Sequence, residues 1–97
     1  MKRIILLAFL CTTTLVMAQR INHVQEAIAN YDYEAALTLI AKEKPTIPLL
    51  LQKGKAQRGL GMNTEALSTY QEIITNDTAN TRAYIEAAEC CLLVFGQ

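Results

Sequence analysis

The side chains that could do chemistry in this chain are few and scattered. His23 is the only histidine. Metal ligation needs several His, Cys or carboxylate groups converging on one ion, so a lone histidine reads as a surface or half-buried helix residue. Cys90 and Cys91 are neighbours, and no Cys-x-x-Cys occurs. Adjacent residues on a helix point about 100° apart, so a vicinal disulfide would require unwinding. Both cysteines then read as small apolar side chains. Ser68 is the only serine and lacks the Gly-x-Ser-x-Gly turn that presents a nucleophile. Gly59-Leu60-Gly61 has no other part of a phosphate loop and reads as a helix C-cap and turn, since glycine accepts positive φ freely. No catalytic residue, cofactor site or metal ligand is assigned. The chain reads as a binder and not as an enzyme.

The elements that must position any binding residues are helices. Leu50 to Thr78 reads as two helices hinged at Gly59-Leu60-Gly61. In the second, Ala66, Leu67, Tyr70, Ile73 and Ile74 fall on one apolar stripe, which makes Tyr70 a core residue. Asn63 is the expected N-cap. In the first, Leu50, Leu51, Gly54 and Ala56 lie among polar residues. Glycine inside a helix costs about 1 kcal/mol against alanine. Gly54 therefore marks a place where another helix comes too close for a side chain.

Gly54, then Ala66 twelve residues on, then Tyr70, resembles the tetratricopeptide repeat, a helix–turn–helix unit of about 34 residues. Leu50 stands where that family carries an early aromatic, and Ile73 where it has a small residue. Lys53, Gln57 and Thr78 depart from its usual Leu, Tyr and Pro. The resemblance implies antiparallel helical hairpins stacked as a short right-handed solenoid.

The rest of the chain supplies partial copies. Ile21, Val24, Ala27 and Ile28 make a short amphipathic helix, broken at Tyr31-Asp32. Tyr33 to Lys44 reads as a second helix, and its Ala36-Leu37-x-x-Ile40 parallels Ala66-Leu67-x-x-Tyr70 at a spacing of 30. Pro45 and Pro48 punctuate the chain there, and Thr46 is the expected cap. Asn80 is expected to cap a last helix, Thr81 to Phe95. Thr46 and Asn80 are 34 apart, as are Leu50 and Tyr84, and Gly54 and Ala88. Tyr84, Ala87, Ala88, Cys91 and Phe95 are read as the buried stripe of that helix. The units are thus about 21–44, 46–78 and an incomplete 80–97.

Repeats of this kind bury their apolar faces only on their neighbours, and about three are needed. Two and a half hairpins, ending in Leu92-Leu93-Val94-Phe95, are expected either to begin a longer solenoid or to need a partner. Self-association through the last helix is one such outcome.

Residues 1–18 read as a secretory signal peptide. Lys2 and Arg3 form a basic start, Ile4 to Val16 is mostly apolar, and Val16-Met17-Ala18 precedes a cut at Gln19. The apolar run is shorter than the roughly 20 residues of a membrane span, which disfavours an uncleaved anchor. Cys11 follows a large Leu10, which disfavours lipidation. The boundary resembles that of exported bacterial proteins and points to the periplasm. Removing 18 of 97 residues leaves 79, one small domain over 19–97. Seven basic and nine acidic residues remain, a net charge of −2 that speaks against nucleic acid as partner.

The resemblance also implies a site. Members of the family bind peptides on the concave surface lined by the first helix of each repeat. In the 34-residue register Leu51, Lys55 and Arg58 lie on that surface in one helix, and Arg82, Ile85 and Glu89 in the next. Lys55, Arg58 and Arg82 would suit an acidic or C-terminal carboxylate ligand, although the Lys and Asn set of the members that grip chaperone tails is missing. A solvated basic edge is the plain alternative. Three functions remain: an exported interaction scaffold with a protein or peptide partner, a helical module preceding an enzyme domain, and a structural subunit that oligomerises.

Overall fold

The computed structural model describes residues 21–96. Among them the chain is all helical, with α1 (21–29), α2 (Tyr33–Ala41), α3 (Ile47–Gly59), α4 (Asn63–Asn76) and α5 (Thr81–Phe95). The expected signal peptide lies outside the described residues. No helix among the described residues is long and apolar enough to cross a membrane.

Three helices start on side-chain caps. Asp32 accepts from the Ala35 N–H at 3.3 Å, Thr46 from the Leu49 N–H at 3.4 Å, and Asn80 from the Ala83 N–H at 3.0 Å. Pro48 falls in the first turn of α3, where a backbone N–H is dispensable. Asn63 is not the cap of α4 but its first helical residue. The turn that ends α3 runs straight into α4 and gives the cap position to Met62. The Met62 N–H reaches back to the Gln57 carbonyl at 2.8 Å, while its own carbonyl accepts from the Ala66 N–H at 2.9 Å.

Two helices end on the same motif. After α3, the Gly61 N–H bonds the Arg58 carbonyl (3.0 Å), Met62 bonds Gln57, and Gly61 takes φ 77°. After α1, the Tyr31 N–H bonds the Ile28 carbonyl (3.0 Å), the Asp32 N–H bonds the Ala27 carbonyl (2.8 Å), and Tyr31 takes φ 61°. Glycine adopts that conformation freely, but an L side chain costs about 1–2 kcal/mol there. Helix α2 stops at Ala41, three residues before Lys44, because Pro45 pushes the residue before it out of helical backbone.

Helices α3 and α4 run antiparallel. Tyr70 lays its ring on Gly54, where a Cβ would overlap it. One step along, buried Thr69 donates to the Oε1 of buried Gln57 at 2.6 Å. Tyr33 of α2 covers Gly59 in the same way, so Gly59 is a packing position and Gly61 alone supplies the left-handed turn.

Two buried clusters result, and α3 belongs to both. Its Leu49 and Ala56 join Val24 and Ile28 of α1 with Ala36 and Ile40 of α2. Its Leu50 joins Ala66, Leu67, Tyr70 and Ile73 of α4, then Ala83, Ala87 and Cys90 of α5.

The buried stripe of α5 is therefore not the expected one. Only Ala87 of that set is buried, while Tyr84 is 47% and Phe95 76% exposed. Ala83, Ala87 and Cys90 are small enough to let α5 approach α4 closely. The bulky residues Tyr84, Ile85, Leu92 and Phe95 point away from it.

Candidate ligand-binding groove

Leu51, Lys55 and Arg58 recur at i, i+4 and i+7, which puts them on one face of α3. Arg82 lies in the first turn of α5 beside that face, positioned by the Asn80 cap. The fold brings these four side chains together. They line one open cavity of about 360 Å³, with Tyr33, Gly59, Tyr70, Glu86 and Leu93. Ile85 and Glu89, the other two residues read onto this surface, do not line it. Ile85 is exposed, and Glu89 is drawn to Arg58.

A second cavity, of about 480 Å³, continues the first toward α1. It is lined by Gln25, Ile28, Ala29, Tyr31 and Gln52, and it shares Tyr33, Lys55 and Arg82 with the first. The two form one groove with its neck at those three residues.

Arg58 is not a free cation. Its Nη1 pairs with the Glu86 carboxylate and lies 2.9 Å from Glu89 Oε2. Burial alone would lower the guanidinium pKa, but the hydrogen bonds to Glu89 and Glu86 outweigh it and hold the pKa above its ordinary value. Two carboxylates around one guanidinium leave the trio net negative. The positive character of the groove therefore rests on Lys55 and Arg82.

Tyr70 is a core residue that also forms the floor of the first cavity. Burial, and secondarily the Glu86 carboxylate, pushes its phenol pKa up, so the hydroxyl stays neutral. Cys90 is free and fully buried against α4, and burial pushes its thiol up as well, which suppresses the thiolate. Cys91 is free and half-buried. His23 and Ser68 are exposed on α1 and α4. Among the described residues no group of three or more His, Cys, Asp or Glu side chains could hold a metal ion.

Sequence reasoning missed Glu86, Tyr31, Tyr33 and the two glutamines. The Glu86-x-x-Glu89 spacing does put two carboxylates on one helix face. Their partner lies 28 and 31 residues earlier, which no local spacing reveals. No family model, curated protein or solved structure matches the chain.

Proposed function

We propose that this chain is an interaction scaffold of tetratricopeptide type, which binds a peptide or protein segment along a concave surface formed by α1, α3 and α5. One observation carries the proposal: Leu51, Lys55, Arg58 and Arg82, from two helices, line a single open cavity. Its polar groups suit binding and not proton transfer, since Arg58 is already paired and stays charged.

The hairpin register supports stacking as a right-handed solenoid. Thr46 and Asn80, 34 apart, both cap their helices. Leu49 and Ala83, also 34 apart, are both buried toward the preceding helix, as are Ala56 and Cys90. Leu50 and Gly54 pack forward on α4, whereas Tyr84 and Ala88, at the matching positions, are exposed. That difference favours a second reading in which α5 mediates self-association.

Selection of peptides from a random display library tests the scaffold. Selected peptides should lose affinity when Leu51→Ser or Arg82→Gln is introduced, with the melting temperature kept. Peptides indifferent to both changes would contradict binding in this groove. Export to the periplasm belongs to the same proposal, on the warrant of Lys2, Arg3 and Ala18. N-terminal sequencing of the periplasmic product should begin at Gln19, and a product still starting at Met1 would count against export.

A further inference from the structure

The charge of the groove differs from what its three cations suggest. Arg58 is committed to Glu86 and Glu89, whereas Lys55 and Arg82 have no ion-pair partner among the described residues. Both of them line both cavities. A carboxylate entering there would meet two cations with no ion-pair partner of their own among the described residues and gain charge-assisted hydrogen bonds.

The groove is longer than a small anion needs. Beyond the neck it reaches Gln25 and Gln52. Their amides both donate and accept, as a peptide backbone does. It also reaches Tyr31, a residue 80% exposed. Tyr31 and Gly61 hold the same place in two copies of one turn motif, both at positive φ. Glycine meets that demand without strain at residue 61, yet residue 31 carries a tyrosine. Its ring stands edge-on to Tyr33, with centroids 6.3 Å apart. That contact offsets part of the strain. An exposed aromatic held in strained backbone beside two open cations points to contact with a ligand.

We propose that the groove takes an extended acidic peptide segment, with a carboxylate between Lys55 and Arg82 and the neighbouring side chain against Tyr31. This rests on the scaffold function above and adds the chemistry of the partner.

Fluorescence anisotropy on the purified protein tests it. The probes are three labelled peptides of equal length, alternating Glu with Leu, Gln with Leu, and Lys with Leu. The Glu–Leu peptide binds most tightly, and added salt weakens it. Lys55→Gln and Arg82→Gln each weaken it about tenfold, the loss of one charged hydrogen bond. Tyr31→Gly weakens it without lowering the melting temperature, because glycine removes the strain. Glu86→Gln combined with Glu89→Gln releases Arg58 and tightens it, which a merely structural ion pair would not do.

If the Gln–Leu peptide binds as tightly as the Glu–Leu peptide, and Leu51→Ser weakens both, the scaffold stands and the acidic ligand is overturned. If none of the three peptides binds, the acidic ligand is overturned, and the library selection above decides the scaffold. If Tyr31→Gly lowers the melting temperature and leaves binding unchanged, Tyr31 serves the fold and its part in the proposal is overturned.

Discussion

A methyl group at residue 54 would land in the Tyr70 ring. Gly54→Ala should therefore cost about 1–3 kcal/mol, the usual range for overpacking. Tyr70→Ala should cost roughly 3 kcal/mol, as for other buried aromatics. The two effects are coupled: in a Tyr70→Leu background most of the Gly54→Ala cost should vanish, and urea denaturation of the four-member cycle would show it. Equal costs in both backgrounds would separate the pair. The same tyrosine sets a pH dependence. Its folded pKa is raised above the ordinary 10.0, so above that pH the unfolded chain releases a proton that the folded chain keeps. Stability is fully present below about pH 10 and falls as pH rises. Tyr70→Phe should reduce the loss of stability between about pH 8 and about pH 11. The special role of Gly54 was legible because a helix-interior glycine is costly without a reason. The role of Gly59 was not. Beside Gly61 it looks like turn chemistry, and only the Tyr33 ring distinguishes the two.

Helix α5 shows how far periodicity carries at the scale of an element. Its limits, Thr81 to Phe95, and its Asn80 cap follow from the sequence. Its buried face does not, because the apolar arc opposite Arg82, Glu86 and Glu89 is much wider than the strip that α4 covers, and periodicity does not choose within it. Small size, not hydrophobicity, chose Ala83, Ala87 and Cys90. Tyr84, Ile85, Leu92 and Phe95 are left in water, where burial of each would be worth about 1.5–3 kcal/mol. Leu92→Ser with Phe95→Ser should reduce both hydrophobic-dye binding and concentration-dependent sedimentation, without a fall in melting temperature. Dye binding and sedimentation untouched by the pair would mean that this face is not the sticky one. The Asn63 misreading is of the same kind. Residue preference favours asparagine as a cap, but the short turn after α3 fixes Met62 there first.

Across the whole molecule, α3 is the shared wall of both buried clusters, packed against α2 on one side and α4 on the other. That is why Leu51, Lys55 and Arg58 make a dependable edge for a groove. Four of the six residues read onto this surface meet in one cavity, where Arg58 of α3 reaches across to Glu86 and Glu89 of α5. What the register could not reveal is pairing across helices. Arg58 lost its freedom to Glu86 and Glu89, and Tyr31 entered from a turn that the sequence marked only as a break.

The measurement that bears most directly on the binding groove is amide chemical-shift mapping by NMR during titration with the Glu–Leu peptide. Binding in the groove predicts saturable shifts concentrated at Tyr31, Gln52, Lys55, Arg58 and Arg82, with little change at Ser68, Gln71 and Thr75 on the exposed side of α4. Saturable shifts confined to α4, or to Leu92 and Phe95 on α5, would contradict it.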